Sequence, residues 1–152
     1  MASVRAEGVA EALWELKRLD KLATFTEVAT RAGFKPGAGG RTLLSCLTTV
    51  QRDWPHLHWW RAIPDDRMVA KESEHSRQLA SGGFELTEAT SKKDMLELIA
   101  VEDSPTGIQS AKAAGYQVIA VPFTTPTAEL EEADFTVDTF YALGVILGHP
   151  LR

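Results

Sequence analysis

The feature that most constrains this chain is Met95-Leu96-Glu97-Leu98-Ile99-Ala100-Val101, a nearly unbroken apolar run of strand length. Successive apolar residues suit a strand buried on both faces, the situation of strands in parallel sheets. Ser104-Pro105 then sets a capping hydroxyl before a proline at the first helical position, and Gly115 supplies the stop. Gln117 to Val121 is a second apolar run, Thr125-Pro126 opens another helix, Phe135 to Val137 reads as a third strand, and Thr139 to Leu147 closes as a helix. The order predicts a βαβαβα unit over residues 95–152, half of a Rossmann-like sheet with three parallel strands and right-handed crossovers. So small a sheet is marginal alone, so it is expected to pack on the first segment, or on a protein partner or second copy through its exposed edge.

The preceding residues keep a helical rhythm. Val9, Ala12, Leu13 and Leu16 stand at i, i+3, i+4 and i+7, which predicts a helix from about Ala6 to Leu19. Thr24 or Thr26 can cap a second helix, with Glu27 in its first turn and Gly33 at its end. After the turn GFKPGAGG, a third helix runs from Arg41 to about Val50. It sets Leu43, Leu44, Leu47 and Val50 on one face and Thr42, Ser45, Thr49 and Arg52 on the other. Two short helices about a glycine-rich turn read as a helix-turn-helix, whose recognition helix needs small polar side chains to approach a groove. A helical hairpin with a polar outer face has the same pattern. HLHWWRAI then reads as a strand, IPDDR as a turn, MVA as a returning strand like a wing, and Ser73 as the cap of a last helix. The expected organisation is an α/β chain: a winged helix-turn-helix-like domain over 1–86, a polar linker over 87–94, and the half-sheet over 95–152.

The net charge of −5 is unevenly spread. Residues 1–63 hold nine Lys/Arg against six Asp/Glu, and residues 92–152 hold four against nine, so only the first part can welcome phosphates. Cys46 is the sole cysteine, which excludes an internal disulfide and a four-thiolate zinc site and fits a reducing compartment. No apolar run reaches the roughly 18 residues that span a bilayer, and acids interrupt the start, so no membrane association and a cytoplasmic location are expected. Cys46 falls beside Leu43, Leu47 and Val50, the position of a buried thiol. His56 and His58 share one strand face, but no third ligand at matching spacing follows, so no metal is expected there. Trp59, near Trp54 and Trp60, either lines a pocket or belongs to the core.

From about residue 6 to 86 this order of features resembles the C-terminal domain of the O6-alkylguanine-DNA alkyltransferases and their alkyltransferase-like relatives. TFTEVA, Thr24 to Ala29, is similar to the segment bearing the family's phosphate-contacting aromatic residue, which puts Phe25 where tyrosine is usual, with Thr26 beside it. GRTLLSCLTTV, Gly40 to Val50, resembles the recognition helix, with Arg41 at the arginine finger that fills the stack when a damaged base rotates out. HWWRAI, His58 to Ile63, stands where the active family has proline, cysteine, histidine, arginine and two aliphatic residues. Only Arg61 matches; Trp59 replaces the nucleophilic cysteine, as in alkyltransferase-like proteins, and Trp60 replaces the histidine. Alkyl transfer at this position is therefore excluded, because the reaction needs an activated thiolate. The resemblance implies a non-catalytic binder of double-stranded, alkylated DNA through Phe25, Thr26, Arg41, Thr42, Ser45, Thr49, Arg52, Trp59 and Arg61.

VEDSPTGIQSAKAAGYQVIAV, Val101 to Val121, resembles the acidic metal-binding motif and following strand of haloacid dehalogenase-type phosphatases, with AELEEADFTVDTFYAL similar to their closing strand and helix. By that resemblance Glu102 and Asp103 hold Mg²⁺; by position alone they equally well complement the N-terminus of the next helix. The family's aspartate nucleophile sits in a D-x-D motif, which this chain lacks. Three expectations follow: a DNA-binding protein needing no cofactor, a Mg²⁺-binding phosphatase fragment completed by another chain, and a non-catalytic scaffold for a protein partner.

Overall fold

A computed structural model describes residues 2–122 and 125–137 and divides the chain into two compact units, residues 1–68 and 69–152. The division falls earlier than the expected end of the first domain at residue 86, so the helix begun at Ser73 belongs to the second unit. No helix among the described residues is long and apolar enough to cross a membrane.

The first unit is a three-helix cluster. Helix α1 (Val4–Leu19) is capped by Ser3, whose Oγ accepts from the Ala6 N–H, and ends at Asp20 in the left-handed region. Helix α2 (Phe25–Arg31) opens with a reciprocal capping box: Thr24 Oγ1 accepts from Glu27 N–H, and Glu27 Oε2 from Thr24 N–H at 2.7 Å. Helix α3 (Arg41–Asp53) completes the cluster. Val9 and Leu13 of α1, Val28 and Ala29 of α2, and Leu43, Cys46, Leu47 and Val50 of α3 make its core. Leu44 departs from expectation: it is 45% exposed, because the buried stripe of α3 runs through Leu43, Cys46, Leu47 and Val50 and leaves Leu44 at its edge.

The expected wing is not formed. Trp59–Arg61 is a 3-10 turn, and only Ala62–Ile63 is strand (β2), which pairs in parallel with β1 (Ala23–Thr24), Ala23 opposite Ala62. The returning segment, β3 (Met68–Ala70), joins another sheet. The cause is Arg61, which points inward. Its Nη2 donates to Asp20 Oδ1 at 2.9 Å, its Nη1 to the Lys21 carbonyl at 3.2 Å and its Nε to His58 Nδ1 at 3.1 Å. These bonds fold residues 58–61 into a tight turn and bring β2 beside β1.

The second unit is built on a five-stranded sheet, not the expected three. Its strands β5 (Met95–Glu102), β6 (Gln117–Ala120) and β7 (Phe135–Thr136) are parallel neighbours, as the alternation predicted. The addition is β3 beside β5, and β4 (Glu85–Glu88), antiparallel to β5 with Leu86 opposite Leu98. Thr87 and Glu88, placed by expectation in a linker, are thus strand. Helix α4 (Glu74–Ser81) is capped by Ser73, and α5 (Pro105–Ala113) by Ser104, whose Oγ accepts from Gly107 N–H. Strand β6 is buried on both sides: Val118 and Ala120 pack with Ile108 and Leu130, while Ile119 packs with Ile99, Val121 and Val137. Where Thr125-Pro126 predicts a helix there is only a 3-10 turn, Thr127–Leu130. The helix expected over 139–147 lies outside the described residues.

Two tests follow from the Arg61 network. Arg61→Ala should lower unfolding free energy by about 2 kcal/mol in urea titration, since Asp20 rehydrates while the buried bonds are lost. Arg61→Lys should cost nearly as much, because a point ammonium cannot reproduce the planar fork. Burial holds His58 below its ordinary pKa of 6.5, with Arg61 and Lys17 adding and Asp20 opposing. A depressed histidine is neutral in the folded chain, so its contribution to stability is present above the ordinary value and lost as pH falls below it. Urea midpoints should therefore decline below about pH 6.5, and His58→Gln should flatten that decline; an unchanged slope would sink the assignment.

Candidate nucleic-acid interface

Arg41 is the first residue of α3, and its exposed guanidinium makes no hydrogen bond or ion pair among the described residues. Gly40, at φ 74°, sets the direction in which α3 starts, and a Cβ there would stand 3.0 Å from the Phe25 ring. Phe25, half-buried against the core, thus acts as a backstop for the turn before Arg41. Its assigned neighbour Thr26 is occupied: its hydroxyl donates to Asp65 Oδ2 at 2.6 Å and its N–H to Asp65 Oδ1 at 3.0 Å.

Arg41, Thr42 and Ser45 share a shallow depression of ≈ 630 Å³ with Ser3, Arg5 and Cys46. Its lining carries two arginines and no carboxylate. Arg5 escaped the sequence reading, since it lies on α1, and the only local sign is its place in the first turn of a helix. The guanidinium of Arg5 lies over the Phe34 ring, 5.6 Å from its centroid, which steadies it without neutralising it. Thr49 is one turn beyond Ser45, its hydroxyl donating to the Ser45 carbonyl at 3.3 Å. Burial pushes the Cys46 thiol above its ordinary pKa, and Arg5 offsets part of that rise. A buried thiol held protonated is a poor nucleophile.

The other expected contacts are engaged elsewhere. Arg52 pairs with Asp53 through Nε at 2.8 Å and Nη2 at 3.1 Å. Arg61 is 5% exposed and holds the interior network described above, so it supports the fold and presents no charge to a ligand. Its guanidinium lies 4.8 Å from the Trp60 ring centroid, and that ring stacks on His58. Trp59, at the presumed acceptor position, packs half-buried against the core of the three helices.

Glu102 is the last residue of β5 and Asp103 the next, at the carboxyl end of a parallel strand. The Glu102 carboxylate rests against Gly107 and Ser104 in the first turn of α5, where a Cβ on Gly107 would overlap it. There it meets the positive end of a helix. Among the described residues no third Asp, Glu, His or Cys joins the pair. One committed carboxylate and one neighbour do not fit the six-oxygen shell of Mg²⁺, so no step is assigned to a metal here.

Gly107→Ala should displace Glu102 and lower the melting temperature, whereas Glu102→Ala in the same chain should restore most of the loss. Equal losses in the single and double variants would show that the contact is not what limits position 107. No family model, no curated protein and no solved structure matches the chain.

Proposed function

We propose that this protein is a non-catalytic binder of double-stranded DNA, similar in role to the alkyltransferase-like proteins that bind O6-alkylguanine without removing the alkyl group. The observation that carries the reading is Arg41, an exposed guanidinium at the start of α3, unpaired among the described residues, on a depression it shares with Arg5 and that no described acid lines. A paired cation meets DNA only after breaking its pair; among the described residues Arg41 has none to break. Two such cations favour phosphates, and a planar guanidinium can also stack in a duplex from which a base has turned out. Thr42 and Ser45 keep the surface of α3 low enough for a groove wall to approach. Arg52 adds a weaker field because Asp53 neutralises it.

The absence of alkyl transfer is supported by two positions. Trp59 has no thiol to offer, and Cys46 is buried with its proton held.

Fluorescence polarisation with an O6-methylguanine duplex and its unmodified twin tests the reading. The lesion duplex should bind more tightly, and affinity should fall with salt. Arg41→Ala should weaken binding about tenfold, and Arg5→Ala should reduce the salt slope by about one. Failure to bind either duplex at low salt would overturn the proposal.

A further inference from the structure

The first unit carries a second recess of opposite character. It is an open groove of ≈ 600 Å³ between α1 and the residues that follow α3, walled by Trp14, Trp54, Leu57 and Ala10 and edged by Glu7 and Glu11. Lys17 fixes one wall: its Nζ donates to the His56 carbonyl at 2.8 Å, tying the chain after α3 to α1. The groove is therefore formed before anything enters it. Trp14 is 55% exposed, an indole that folding leaves half open, with the Arg18 side chain over its ring. Large aromatic rings at the surface mark contact sites more often than charged side chains do.

The charge of the groove selects what can cover that ring. No lysine or arginine lines it, and His56 is the one basic side chain among its lining residues, against the three glutamates Glu7, Glu11 and Glu15. Glu15, a third acid at its edge, is already paired with Arg31 at 2.6 Å. Glu7 and Glu11, one helical turn apart on the same face, make no hydrogen bond or ion pair among the described residues. Phosphate is repelled by this edge, and a purely apolar segment would strip water from two unpaired carboxylates without replacing it. A cation satisfies both parts at once, with its charge on the glutamates and its apolar or planar body on the indole. Arg18 already lies over Trp14, 5.5 Å from the ring centroid, although it does not line the groove. The ring is thus accessible to a guanidinium in the chain's own structure. The recess is open and has no closed aromatic box, which suits a side chain carried on a continuing backbone better than a free small cation.

We propose that this groove is a docking site for an arginine- or lysine-bearing segment of a partner protein, its cationic side chain lying on Trp14 and bonded to Glu7 and Glu11. The site is independent of the DNA-binding reading, since it shares no residue with the Arg41 depression.

The test is calorimetric titration of the full chain with an end-blocked peptide of alternating glycine and arginine, beside a twin in which citrulline replaces arginine. The arginine peptide should bind at low salt and weaken as salt rises, and the twin should bind about tenfold more weakly or not at all. Trp14→Ala should reduce affinity about threefold to fivefold, and Glu7→Gln with Glu11→Gln should do the same. Both variants change exposed side chains, and circular dichroism checks that the helices persist. Trp14→Ala should leave duplex binding as it is, so failure here is separable from failure of the DNA reading. Equal binding of the citrulline twin, or no heat with millimolar arginine peptide, would overturn the proposal. So would tetramethylammonium matching the peptide's affinity, which assigns the groove to a small cation. A concentration-dependent dimer abolished by Trp14→Ala would also overturn it, by assigning the groove to a second copy.

Discussion

The first unit is organised around a charge that cannot leave the interior. Arg61 is 5% exposed, and burying a guanidinium is tolerable only if its donors are met. Asp20 and Lys21, just past the end of α1, supply a carboxylate and a carbonyl, and His58 supplies a ring nitrogen. Asp20 and Lys21 stand at the end of α1 and His58 at the start of the Trp59–Arg61 turn, so satisfying one arginine ties the end of α1 to the turn that leads into β2. Asp20 adopts φ 52°, a backbone conformation uncommon outside glycine and asparagine, and its carboxylate is what the arginine receives for that cost. His58 accepts from Nε as a neutral ring, and burial together with the nearby Arg61 and Lys17 lowers its pKa in the direction that favours that form.

Much of the fold was legible because local chemistry and tertiary demand agree. Thr24 with Glu27, Ser73 and Ser104-Pro105 mark helix starts through hydrogen bonds made within three or four residues, and those bonds are present. The apolar run from Met95 predicted a strand buried on both faces; β5 forms over Met95–Glu102, but only Leu98 and Ile99 are buried and the rest of the strand is half-buried. What was not legible depends on partners distant in sequence. Two residues of strand at Ala62–Ile63 carry no periodicity, and their pairing with Ala23–Thr24 was decided by Arg61, whose charge would ordinarily place it on a surface. Likewise β4 escaped because ELTE has no apolar alternation of its own; it is a strand by virtue of lying against β5.

The candidate site divides along the same line. Thr42 and Ser45 were readable from one helical face and Arg41 from the family resemblance, and the three do share a surface. Arg5 was not, since nothing in the 35 intervening residues signals that the start of α1 meets the start of α3. Arg52 and Arg61 illustrate the converse error: a positive residue in a plausible motif position says nothing about whether an acid elsewhere already holds it. Formal charge is therefore a poor guide to the cations a protein can offer, and the count of unpaired ones is the relevant quantity.

Applied to the whole first unit, that criterion separates its surface more sharply than composition does. Of the charges on α1, Arg5 faces a depression without acids, while Glu7 and Glu11 face a groove without lysine or arginine. The two flanks of one helix thus present opposite unpaired charges a few residues apart. On the proposed readings, each flank would repel the ligand class that the other would attract, so one sixteen-residue helix would carry both surfaces. Arg61 pins the end of that helix through Asp20 and Lys21, while Val9 and Leu13 seat its length in the core of the three helices.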